Sequence, residues 1–237
     1  MAAAIGAMIL AAGRGERMRP LSDATPKPLL RAGGKPLIVW QLEALVRAGF
    51  VEVVVNVSHH GAMIVDTLGD GRAFGARIAW SREAEPLEVA GGITTAVPLL
   101  PPGPVLVVSG DVWTTYDYAT LRPRAQAMAA DPAAPRAHLV MVPNPPYHRD
   151  GDFALRDGAI VAADGPRLTF GNVALYDTAL FAGLARGTKL RMLPLLTAWI
   201  ARGIVSGERY GGPWANVGTP GDLAALDAQL AGAPLLD

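Results

Sequence analysis

Along the first two-thirds of the chain, short runs rich in Val, Ile and Leu alternate with longer stretches whose apolar residues recur at helical spacing. That is the pattern of a mostly parallel sheet wrapped by helices. Residues 7–10, 51–57, 77–80, 105–109 and 137–142 read as strands. Between the first two, Pro36 stands where a helix begins, Leu37, Ile38, Leu42, Leu45 and Val46 share one face, and Gly49 marks the stop. These elements make one βαβ unit. The spacing predicts further helices over 62–68, 92–97 and 116–130. After Pro143 the pattern changes: residues 153–156 and 159–162 flank Asp157-Gly158, a dipeptide suited to a tight hairpin, and 168–176 reads as another strand. Helices are expected at 190–202 and 220–230, separated by an extended segment over 205–217. No internal repeat is found, and the Pro-containing stretch 131–135 is a connector within the sheet, so residues 1–237 are expected to form a single α/β domain.

Composition narrows the chemistry. With 237 residues, 51% hydrophobic and 18% charged, one large core can be built. Lys plus Arg (21) balances Asp plus Glu (21), so no net field recruits nucleic acid or an acidic membrane. The absence of Cys excludes disulfides, thiolate zinc sites and cysteine nucleophiles. Residues 89–110 carry no charge over about a bilayer's length, but four Pro and four Gly interrupt them, which argues for a helix, a turn and a buried strand. The apolar start, 1–12, lacks the basic flank of a signal peptide, and the expected location is the cytoplasm. His59-His60 and His138 read as ordinary helix-start and strand residues, whereas His148 stands near Asp150 and Asp152 in a loop.

The strongest chemical signal is Leu10-Ala11-Ala12-Gly13-Arg14-Gly15-Glu16-Arg17-Met18-Arg19-Pro20, followed by Thr25-Pro26-Lys27-Pro28-Leu29. It leaves the carboxyl end of the first strand, where parallel sheets bind ligands. Gly13 and Gly15 let backbone N–H groups approach a phosphate chain, and Arg17 and Lys27 add charge. A dinucleotide fingerprint would need Gly where Met18 stands, and a P-loop would need Ser or Thr where Pro36 follows Gly34-Lys35. Asp111 emerges from a Val-rich strand at the same edge and is a metal candidate. Glu85 offers an acceptor that either uracil or guanine could use.

The stretch from Leu10 to Leu29 resembles the signature of the sugar-1-phosphate nucleotidylyltransferases. Glu85-Pro86-Leu87-Glu88-Val89-Ala90-Gly91-Gly92 is similar to that family's base-reading loop, and Val108-Ser109-Gly110-Asp111-Val112 to its metal-binding strand end. Trp214-Ala215-Asn216-Val217-Gly218-Thr219-Pro220 is similar to its C-terminal metal motif, in which Asp is usual where Asn216 stands. The short length without a β-helix extension is most like the N-acetylmuramate-1-phosphate uridylyltransferase branch.

The resemblance implies a Rossmann-like three-layer sandwich with a mostly parallel central sheet. Its nucleotide-binding part would span about 1–142 and its sugar-binding and C-terminal part about 143–237. The implied reaction moves UMP from UTP to a sugar 1-phosphate, N-acetylmuramate 1-phosphate first, with Mg²⁺ as cofactor and pyrophosphate as product. The alternatives are a mannose-1-phosphate guanylyltransferase and a nucleotide-sugar sensor without turnover. Leu10, Ala11, Gly13, Gly15, Arg17, Lys27, Glu85 and Gly91 would meet the nucleotide. Asn144, Asp152 and Asn172 would meet the sugar, with Asn144 where many relatives carry a second Lys. Arg17, Lys27 and Asp111 would be catalytic, and Asp111 with Asn216 would hold the metal.

Overall fold

The Val-rich runs assemble into a nine-stranded sheet in the computed structural model, which describes residues 5–162 and 165–232. Residues 1–4 of the apolar start lie outside the described residues. Along the chain, β1 (Ala7–Leu10), a one-turn α1 (Leu21–Ala24) and the two-residue strands β2 (Arg31–Ala32) and β3 (Lys35–Pro36) lead into α2 (Leu37–Arg47). Next come β4 (Glu52–Val57), α3 (Gly61–Leu68), β5 (Arg77–Arg82), α4 (Glu88–Ala96) and β6 (Pro104–Ser109). They are followed by β7 (Val112–Thr114), α5 (Leu121–Ala130), β8 (Ala137–Val142), and the hairpin of β9 (Ala154–Arg156) and β10 (Ala159–Val161). The chain closes with β11 (Thr169–Asp177), α6 (Met192–Ala201), β12 (Val205–Arg209), β13 (Trp214–Asn216) and α7 (Pro220–Ala231).

The sheet runs β5-β4-β1-β6-β11-β8-β12-β10-β9. Its first four strands are parallel, as the βαβ pattern requires. β11 enters antiparallel to both neighbours, β6 and β8, because the chain reaches it from the β9–β10 hairpin and not through a crossover helix. Alternate side chains build two cores. Ala7, Ile9, Val55, Leu106 and Val108 pack with α2, α3 and α5 on one face, while Met8, Val54, Val107 and Tyr176 pack with α4 and α6 on the other. A third cluster joins Met18, Trp113, Val217 and Leu226, tying the loop after β1 to the β7–β13 ribbon and to α7. Met18 is fully enclosed there, and burying it contributes roughly 1.5–3 kcal/mol to holding that loop.

Several element boundaries move for identifiable reasons. The helix expected at 190–202 starts at Met192, because Leu190 spends its backbone groups on Leu87, Ala90 and Gly91. The one expected at 116–130 starts at Leu121, after a 3₁₀ turn capped by Asp117. The extended stretch 205–217 is two strands in different sheets, β12 and β13. Thr219 and Asp222 form a reciprocal capping box that starts α7, with Pro220 in its first turn. Among the described residues no helix is long and apolar enough to cross a membrane, and residues 89–110 are α4, a 3₁₀ turn and β6.

Candidate active site

Strand order reverses at β1, since β4 lies on one side of it and β6 on the other, which opens a crevice at the carboxyl ends of β1 and β6. A cavity of about 720 Å³ occupies it, walled by residues 10–17 and 85–89 with Lys27, Ser109, Asp111 and Lys189. Gly15 has φ +65°, and a Cβ there would stand 3.0 Å from Lys27 Cβ, so the loop closes directly on the lysine stem. The Ser22 hydroxyl braces it by donating to the Gly15 carbonyl at 2.8 Å. Lys27 opens a 3₁₀ turn between Pro26 and Pro28, and its Nζ lies 2.5 Å from Asp111 Oδ2, with the two side chains 12% and 29% exposed. Arg17 extends toward the head of α7, where its guanidinium would stand 3.4 Å from a Cβ at Gly218.

Behind the loop runs a buried polar relay. Asn56 Oδ1 accepts from the Ala11 N–H at 2.8 Å, Asn56 Nδ2 donates to Glu83 Oε1 at 2.7 Å, and Glu83 Oε2 accepts from the Leu87 N–H at 3.0 Å. It locks the ends of β1, β4 and β5 and the 85–89 loop into one unit. Burial pushes the Glu83 carboxyl upward, and the two hydrogen bonds pull it back.

A second cavity of about 520 Å³ shares Leu10, Arg17, Val89 and Ser109 with the first. Its polar groups include Tyr147, His148, Asp152, Asn172 and Asn216, set in a mostly apolar wall that includes Phe153, Phe170 and Leu193. Asn172 sits at φ +57° where β11 is bulged between Phe170 and Ala174, and the bulge turns its side chain toward the cavity. Asn216 pairs across the ribbon with Val112, and the Asp111 carbonyl accepts from the Val217 N–H at 3.0 Å, so Asp111 and Asn216 are held on neighbouring backbone, the first lining the first cavity and the second lining the second.

A profile of the nucleotidyl transferase family matches residues 6–149. The N-acetylmuramate alpha-1-phosphate uridylyltransferase of Neisseria meningitidis serogroup B is 47% identical over 231 residues, which span 96% of this chain and 98% of that protein. This chain belongs to the nucleotidyl transferase family. The Caulobacter vibrioides protein of the same name is 35% identical over 237 residues, 95% of this chain and 96% of that one. The solved structure of HddC from Yersinia pseudotuberculosis complexed with GMP-PN shares the fold of this nucleotidyl transferase. Its TM-score is 0.76 over 95% of this chain and 99% of that one, at 19% identity.

Within the nucleotidyl transferase crevice the structure gathers Leu10, Ala11, Gly13, Gly15, Arg17, Lys27, Glu85 and Asp111 around the first cavity, and Asp152, Asn172 and Asn216 around the second. Two expected residues are elsewhere. Gly91 lies inside α4 and not on the cavity wall, and a Cβ there would stand 2.3 Å from the Thr188 carbonyl oxygen, so this glycine serves close packing. Asn144 is spent within the protein: Nδ2 donates to the Arg149 and Arg167 carbonyls at 2.9 and 3.0 Å, and Oδ1 accepts from the Thr169 hydroxyl at 2.9 Å. It pins the 144–151 loop and lines neither cavity. Sequence reasoning missed Asn56, Glu83, Tyr147 and Lys189. A lone Asn inside the Val-rich β4 was the available signal for the first, while Lys189 carries no local mark.

Proposed function

We propose that this chain transfers a uridylyl group from UTP to N-acetylmuramate α-1-phosphate, releasing pyrophosphate. The observation that carries the reading is similarity over nearly the whole length, at 47% and 35% identity, to two proteins of that name, joined to two cavities that meet at the carboxyl ends of β1 and β6. One cavity suits a nucleoside triphosphate and the other a sugar 1-phosphate. An acceptor phosphate oxygen attacks the α-phosphorus, the new P–O bond forms, and the bond to the β-phosphate bridging oxygen breaks. The nucleophile is already anionic, so no general base is needed, and the task is positioning and charge stabilisation.

Lys27, mounted between prolines, would meet the α-phosphate, and Arg17 the β- and γ-phosphates. The 10–15 loop would offer its backbone amides, and Glu85 an acceptor to the base. Asp152 and Asn172 would take sugar hydroxyls. The donor chemistry fits Mg²⁺: Asp111 and Asn216, carried on neighbouring backbone, both offer hard oxygen donors, one of them charged. Among the described residues no cluster of three or more His, Asp or Glu could hold an ion unaided, so the ion would enter with the nucleotide phosphates. The bound ion would screen the phosphate charge. Pyrophosphate release with purified protein, four nucleotides and several sugar phosphates tests the reading. Turnover should require UTP with N-acetylmuramate 1-phosphate. Turnover of GTP with mannose 1-phosphate alone, or no release with any pair, would overturn it in favour of a guanylyltransferase or a sensor.

A further inference from the structure

Resting on the acceptor proposed above, we infer that His148 binds the lactyl carboxylate of the muramyl group, with Asp152 orienting its ring. Muramate differs from glucosamine by a lactyl ether on O3, which adds a methyl group and a carboxylate. In a largely apolar cavity a carboxylate needs a charged or hydrogen-bonding partner. The side chains lining the second cavity that can carry positive charge are Arg17 and His148. Arg17 also lines the first cavity and reaches the Gly218 turn, which commits it to the phosphate end. His148 lines the second cavity and not the first.

The mount of His148 is built. Its Nε2 is 3.1 Å from Asp152 Oδ1, and Asp152 Oδ2 accepts from the Phe170 N–H at 2.8 Å, which fixes the carboxylate to β11. In the cationic imidazole both ring nitrogens donate, Nε2–H to Asp152 and Nδ1–H to the incoming carboxylate. The loop beneath is held by Asn144 and by the His148 N–H donating to the Pro145 carbonyl at 2.9 Å. Gly151, at φ +62°, leaves no space for a Cβ, which would stand 2.8 Å from Asn144 Oδ1. The role of Asn144 is thus to carry the residue that touches the sugar. His148 and Asp152 side chains are 39% and 35% exposed, open to a ligand without being free in water. The apolar neighbours Phe153 and Phe170 suit the lactyl methyl.

The test is steady-state kinetics of wild type, His148→Gln and His148→Arg with UTP. N-acetylmuramate 1-phosphate and N-acetylglucosamine 1-phosphate serve as the acceptors, the latter read as substrate or as competitive inhibitor. His148→Gln should raise the KM for the muramate substrate roughly 10- to 100-fold, the scale of one charge-assisted hydrogen bond. The KM for UTP, the constant for the glucosamine compound and the melting temperature should not move. His148→Arg should restore most of the muramate affinity. Equal losses on both sugars, or none on muramate, would overturn the assignment. Failure of the uridylyl-transfer reading shows separately, as a wild type that does not turn over N-acetylmuramate 1-phosphate.

Discussion

Gly91→Ala separates a packing glycine from a glycine that makes room for the base. The added Cβ would stand 2.3 Å from the Thr188 oxygen and 3.1 Å from the Leu190 nitrogen, about 1 Å short of ordinary contact at the first. To admit it, the 188–190 segment must back away from α4. That movement strains three backbone bonds, Leu190 N–H to the Leu87 carbonyl at 3.0 Å and the Ala90 and Gly91 N–H groups to the Leu190 carbonyl at 3.1 and 3.2 Å. Overpacking of this kind costs about 1–3 kcal/mol, and the helix propensity of Ala over Gly returns up to about 1 kcal/mol. A net loss near 1–2 kcal/mol should lower Tm by roughly 2–8 °C in a chain of this size. Gly13→Ala is the control, because a Cβ there meets nothing within 4 Å: Tm should hold while the KM for UTP rises. Thermal unfolding by circular dichroism, run beside UTP kinetics, reads both. A Gly91→Ala protein with wild-type Tm and a raised KM for UTP would refute the packing assignment.

Lys27→Ala should lower kcat roughly 10²- to 10³-fold, the scale of removing one preorganised donor; near-normal kcat in stopped-flow or steady-state assays would remove Lys27 from the site. Asn216→Asp should lower the Mg²⁺ concentration that gives half-maximal rate, and Asp111→Asn should nearly abolish turnover; magnesium titrations decide, and an unchanged dependence in Asn216→Asp means that Asn216 is no ligand. His138 is fully buried between Ser206 and Glu208, and burial holds its pKa below the ordinary imidazole value of about 6.5. The unfolded chain therefore takes the proton first as pH falls, so this stabilisation is present above about pH 6.5 and is lost through the window below it. Glu208, whose pKa is lowered chiefly by its bond to His138, loses its share only in the more acidic carboxylate range. Tm should thus fall between about pH 7 and 5, less steeply in His138→Gln, and equal slopes would refute the account.

What the sequence determined by itself is whatever local pattern and the chain's handedness suffice to set. Continuous Val-rich runs have only the doubly covered middle of a sheet to occupy, which places β1, β4 and β6 there. Parallel strands then bring their carboxyl ends to one edge, so Gly13, Gly15, Arg17 and Asp111 converge whatever the remaining packing does. The pairing of Lys27 with Asp111 joins residues 84 apart and needed the tertiary structure, as did the Asn56–Glu83–Leu87 relay. So did the fates of Gly91 and Asn144, which share the residue types and loop settings of ligand-binding positions yet face the chain's own carbonyls. An amide or a glycine serves a ligand and a neighbouring backbone by the same hydrogen bonds and the same missing Cβ. Which one it meets depends on how closely Thr188 or Arg167 approaches in space, and that distance is set by how distant segments pack.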